Sequence, residues 1–119
     1  MSQYHEPVEF LDSKALDISR ALNSLKEEIE AVDWYNQRVA ACSCTELKDI
    51  MAHNRDEEIE HAAMTIEWLR RNMGAWDEEL KTYLFKEGDI TKLEGEAMSG
   101  GGSQEAKGDN SSLGIGNLK

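Results

Sequence analysis

No run of apolar residues in this chain approaches the length needed to cross a bilayer, and no secretory signal opens it. A membrane-spanning protein is therefore not expected. Positive charge is also short: 13 Lys and Arg stand against 24 Asp and Glu, a formal net charge of −11. From Ala97 onward Lys107 and Lys119 balance Glu105 and Asp109, so the preceding body carries the whole excess. Such a body is unsuited to nucleic acid and to anionic membrane surfaces, and it attracts cations. Cysteine occurs only as Cys42 and Cys44. Their C-x-C spacing is not the C-x-x-C of metal or redox motifs, and two reduced thiols near a turn are expected, in a cytoplasmic setting. At 119 residues the chain holds one domain at most.

What remains is helical. Proline occurs once, at Pro7, and the first glycine is Gly74. Residues 1–11 form a polar lead expected to be extended. Asp12 or Ser13 can cap a helix running to about Val39–Ala41. Its residues Ile18, Ala21, Leu25, Val32, Tyr35 and Val39 share one stripe at helical period. Ala40 to Thr45 reads as a turn with Thr45 as N-cap. A second helix then runs to about Asn72, with Gly74 just past its end. Trp76 to Glu87 makes a shorter amphipathic helix interrupted by Gly88, and Asp89 to Ala97 adds a turn or two. The expected architecture is all-α, an antiparallel two-helix hairpin plus a short C-terminal helix. Two such helices cannot bury both stripes alone. Two copies packed together give four helices, the smallest arrangement that closes the core.

The second helix carries the stretch Arg55-Asp56-Glu57-Glu58-Ile59-Glu60-His61. Glu58 and His61 are a Glu-x-x-His pair, and residues three apart on a helix can reach one metal ion. At about 100° per residue, Leu47, Met51, Ala62, Thr65 and Leu69 lie within about 20–40° of Glu58. His61 is about 60° to one side, near Ile50 and Trp68. A Glu in an apolar stripe is seldom left without a partner. Glu28 lies likewise in the stripe of the first helix. Asp56, Glu60 and Glu67 point the other way, as a solvated face does, and His53 reads as structural or interfacial. With a single Glu-x-x-His the chain holds half a site, so a complete one again asks for two copies.

The domain reading is 1–11 lead, 12–96 helical hairpin domain, 97–110 flexible linker rich in Gly and Ser, and 111–119 terminal peptide. In that last segment Leu113, Ile115 and Leu118 return after a linker nearly without apolar residues, as in a docking peptide.

The body resembles the encapsulated ferritins, a branch of the ferritin-like superfamily with two long helices per subunit. The residues that carry the resemblance are Glu27 to Tyr35, His53 to Thr65, Glu67 to Arg71 and Thr82 to Phe85. The segment Ser112 to Leu118 is similar to the peptide that directs cargo into encapsulin shells. The resemblance implies a ferritin-like four-helix bundle formed by dimerisation, and a ring of five dimers. It implies a ferroxidase that oxidises Fe(II) with O2 at a di-iron centre across a two-fold subunit interface, inside an encapsulin nanocompartment that stores the iron. By motif, Glu28, Glu58 and His61 would be iron ligands. Glu27 and Glu30 would form an outer metal site with Trp34 close by, and Tyr35 would stand beside the centre. A non-catalytic metal-binding cargo protein, or another di-iron activity such as peroxide reduction, would use the same ligands, and a purely structural adaptor would need none of them.

Overall fold

A computed structural model describes residues 4–95, which are helical wherever they are regular. They divide into two compact units that meet between Gly74 and Ala75.

The first unit is the hairpin. Its lead is not extended throughout: Pro7 (φ −58°, ψ 133°) is extended, but Val8–Phe10 forms a 3-10 turn whose Phe10 N–H donates to the Pro7 carbonyl at 3.0 Å. Helix α1 spans Ser13–Ala41. Asp12 caps it, its carboxylate accepting from the Ala15 N–H at 2.8 Å. Helix α2 spans Thr45–Asn72 and packs along α1. The N-cap of α2 is Cys44 rather than Thr45, which is already helical, and no side chain caps this end. Gly74 stands just past the end of α2, as expected. Met73 (φ −138°, ψ 110°) ends the helix in an extended conformation, so no positive φ is required there.

The hairpin buries little. Leu25, Ala62 and Leu69 are its buried apolar side chains among the described residues, with Leu69 fully enclosed. Ile29, Trp34, Ile50, Ile59 and Met64 remain about half exposed or more. A pair of helices has one seam and two open faces, and residues flanking the seam cannot both touch the neighbour and escape water. One face shows a groove lined by Ile29, Val32, Asn36, Arg55, Ile59 and Ala62. Across it Arg55 Nη1 donates to Asn36 Oδ1 at 3.0 Å, a polar tie between the helices. The other face holds the acidic site.

In the second unit, helix α3 spans Gly74–Tyr83 and is shorter than the expected Trp76–Glu87. Leu84 still donates to the Leu80 carbonyl, but Phe85 turns left-handed (φ 59°) and stops the helix. The Lys86 ammonium donates to the carbonyls of Lys81 and Thr82 at 2.8 and 3.2 Å, satisfying terminal acceptors. Gly88 takes φ 96°, open to glycine and strained for other residues. Asp89 then caps a 3-10 turn over Ile90–Lys92, and residues 93–95 are helical, the further turn that was expected. The linker and the terminal peptide with Leu113, Ile115 and Leu118 lie outside the described residues.

Candidate metal centre

Glu28 comes from the middle of α1, and Glu58 and His61 from one face of α2. Antiparallel packing brings them together although 30 residues separate the two glutamates in sequence. One ligand atom from each, two carboxylate oxygens and one imidazole nitrogen, lie within 4.8 Å of one another. His61 Nδ1 stands 3.4 Å from Glu58 Oε1 and 3.6 Å from Glu28 Oε1. The two carboxylate side chains are about a quarter exposed, and the imidazole is 42 % exposed. The three groups thus sit at the rim of the interhelical seam, neither in bulk water nor in the core.

Their protonation reflects that crowding. The hydrogen bond with Glu58, then burial and the Glu58 charge, raise the Glu28 carboxyl above its ordinary value, and His61 only partly opposes this. Desolvation pulls the His61 imidazole down. The Glu58 hydrogen bond and the charges of Glu28, Glu58 and Glu57 outweigh it and leave the group raised. Without a cation this cluster tends to hold protons. A bound cation would replace them with a stronger positive partner.

The surroundings are partly apolar. Arg20, Ala21, Ser24, Met64, Thr65 and Trp68 line the open pocket around Glu28 and His61. Met64 is 59 % exposed, and Thr65 Oγ1 donates to the His61 carbonyl at 3.1 Å. Arg20 and Ser24 escaped the sequence reading, although they precede Glu28 by two turns and one turn on the same side of α1. Arg20 is engaged by Asp17 at 2.6 Å and so does not neutralise the cluster. That spacing was the signal available.

The other residues singled out from sequence are placed elsewhere. Glu27, Glu30 and Trp34 lie exposed on the side of α1 turned away from the Glu28 stripe. They join no three-ligand group within one chain among the described residues. Tyr35 shares the Glu28 stripe but lies two turns on, about 10 Å along the axis. Its ring packs under the Arg38 guanidinium at 5.1 Å. His53 is exposed, with Nε2 3.9 Å from a Glu57 carboxylate oxygen on its own helix.

No described helix is long and apolar enough to cross a membrane.

Comparison with known proteins places the chain in a family. A ferritin-like protein from Thermotoga maritima is 59 % identical over 107 residues, covering 90 % of this chain and 92 % of its own. An encapsulated ferritin-like protein from Rhodospirillum rubrum is 55 % identical over 121 residues, covering 97 % and 86 %. The crystal structure of protein ne0167 from Nitrosomonas europaea aligns with a TM-score of 0.72 at 57 % identity, covering 75 % of this chain and 98 % of that one. The EncFtn-like family matches residues 3–87. The chain therefore belongs to the EncFtn-like family of encapsulated-ferritin-like proteins.

Proposed function

We propose that the chain is a ferroxidase that oxidises Fe(II) to Fe(III) with O2 at a di-iron centre shared across a two-fold interface between two copies. The observation that carries this reading is the convergence of Glu28, Glu58 and His61 within 4.8 Å at an open rim. Three donors do not fill the coordination of an iron ion. A second copy, brought in by a two-fold axis, would add the same three. The completed set of four carboxylates and two imidazoles suits iron among the common divalent metals. Its four negative charges match the charge of two Fe(II) ions. Bound iron supplies the electrons that O2 accepts.

The chain's own part is to gather, deprotonate and shield. Glu28 and Glu58 supply charge from opposite helices, so the helix seam fixes their separation. His61 must give up its Nδ1 or Nε2 proton to ligate, which its raised affinity for protons opposes in acid. Met64 and Trp68, exposed beside the cluster, would be covered by the second copy and would keep water from the centre. Glu27 and Glu30, with Trp34, would form an outer metal site on the far side of α1, and Tyr35 would order the surroundings of the centre. We further propose assembly as a ring of dimers and delivery of iron for storage inside an encapsulin shell, through Leu113, Ile115 and Leu118. The name of the Rhodospirillum rubrum relative, an encapsulated ferritin-like protein, supports that reading.

An anaerobic Fe(II) titration followed by air tests the activity. Two Fe(II) per pair of chains should bind, and admission of O2 should produce the ferric absorbance together with O2 uptake. Binding of Fe(II) without O2 uptake would make the protein a metal-binding cargo instead. The ratio of iron oxidised to O2 consumed separates ferroxidase from peroxide chemistry.

A further inference from the structure

The C-x-C at the hairpin tip was expected to be two idle thiols. The structure gives it a geometry that sequence spacing alone did not. Cys42 (φ −78°, ψ 130°) and Cys44 (φ −80°, ψ 117°) are both extended, where the chain leaves α1 and before it enters α2. Residues two apart have Cα atoms no more than about 7 Å apart, at about 3.3–3.6 Å per residue, so both side chains are within reach of one ion. The Cys42 sulfur already leans over its neighbour, 3.5 Å from the Cys44 carbonyl oxygen. Both thiols are free, Cys44 is exposed and Cys42 is half-buried.

A second observation is independent of that spacing. Cys44 occupies the N-cap of a 28-residue helix, the position where Ser, Thr, Asp or Asn would bond an orphan N–H. Helix α1 follows this rule with Asp12; α2 departs from it, and the Cys44 sulfur makes no capping bond. A local rule broken on an exposed turn without a packing gain is where a functional demand is to be sought. The uncapped amino end of α2 also complements an anionic ligand set.

We propose that Cys42 and Cys44 form a two-thiolate chelate for a soft, thiophilic cation, a second metal site separate from the carboxylate cluster. The reaction balances as two thiols and one divalent cation giving a metal dithiolate and two released protons. Hard and soft ligands are thereby sorted within one chain: Glu28, Glu58 and His61 suit iron, whereas thiolates select soft metals. At 1.5 Å per residue the tip lies about 20 Å from Glu28 along α1, so the two sites load independently. This inference does not rest on the proposed ferroxidase activity.

The test uses the reduced full-length protein under anaerobic conditions, with Cd(II) as probe. Loading is followed by the ultraviolet thiolate-to-metal charge-transfer band and by proton release. Wild type should take up one Cd(II) per chain in this band. Cys42→Ser and Cys44→Ser should each weaken that binding by about a hundredfold or more, the advantage that tethering gives a second ligand. A Glu58→Ala/His61→Ala variant should keep the band unchanged. Absence of the band in wild type would overturn the proposal, as would single Ser variants that each retain half of it at undiminished affinity. Serine suits both turn positions, so loss of folding does not confuse the result, and circular dichroism verifies this.

Discussion

If the carboxylate cluster is half of a shared centre, adding metal should drive two chains together. Each chain presents three ligand atoms within 4.8 Å, at a rim surrounded by exposed Met64 and Trp68. Metal then binds the pair far better than the single chain, and binding stabilises association by RT ln(1 + [metal]/Kd). At a hundredfold excess over Kd each ion contributes about 2.7 kcal/mol, and two ions about 5.4 kcal/mol, a shift of roughly ten-thousandfold in the association constant. The pH dependence follows from the two raised groups. A raised group favours the metal-free folded site below its ordinary value and loses that contribution as pH rises through the folded one. Glu28 and His61 are both raised, so the metal-free site loses stability as pH climbs from the acid range past the ordinary histidine value. Metal reverses this, because ligation needs both groups deprotonated. Metal-driven association should therefore weaken as pH falls and His61 and Glu28 take up protons. Native mass spectrometry or light scattering, with and without anaerobic Fe(II) at fixed ionic strength from pH 5 to pH 8, measures it. An oligomeric state that is the same with and without metal at every pH would refute the reasoning and leave packing alone to hold the assembly.

Three further outcomes are expected. Glu58→Ala and His61→Ala should each abolish or greatly slow Fe(II) oxidation while circular dichroism remains helical, since each loss is repeated in both copies; wild-type rates in both would remove the ligand assignment. Deletion of Ser111–Lys119 should leave oxidation intact and prevent co-purification with an encapsulin shell protein, whereas undiminished packaging would refute the docking role of Leu113, Ile115 and Leu118. Glu67 accepts hydrogen bonds from Arg70 and Arg71 at 2.7–2.9 Å, which hold its carboxyl at about 2. A lowered carboxylate stabilises above its ordinary value and stops doing so as pH falls through the folded one. With 41 % of the side chain exposed, screening leaves about 1 kcal/mol, so Glu67→Gln should lose about that in urea unfolding at pH 7. The difference should disappear between pH 4.5 and pH 2.

The long elements were legible because their signals were redundant. The period of Leu25, Val32 and Val39, the cap at Asp12 and the absence of glycine before Gly74 all pointed to the same helix. Glu28 and Glu58 could be found because a carboxylate in an apolar stripe violates the pattern around it. The short elements were misread where two local preferences competed. Pro7 is extended as read, but the three residues after it close a 3-10 turn onto its carbonyl. Gly74 stands just past α2 as expected, but the helix ends through an extended Met73 and not through a positive φ. At the end of α3 nothing in the sequence announced a left-handed Phe85. Side-chain neighbours across the seam, such as Arg55 with Asn36, depend on helix register, which periodicity does not fix.

One physical circumstance links the thin core to the proposed half-site. A pair of helices has a single seam, so a ligand set built along it can draw on two helices only. A four-helix carboxylate centre uses four. On the proposed reading, the further ligands and the packing partner come from the same place, a second copy. Burying the rest of Met64 and Trp68 would contribute on the order of 1 kcal/mol each, a modest term for ordering two chains. Metal supplies a larger one only when both halves are present. Apolar contact alone would hold the pair weakly and without regard to iron, and ligation alone would leave the centre open to water. If both lie on one face of the interface, association and loading would be the same event, which makes oligomeric state under metal a more discriminating measurement than activity.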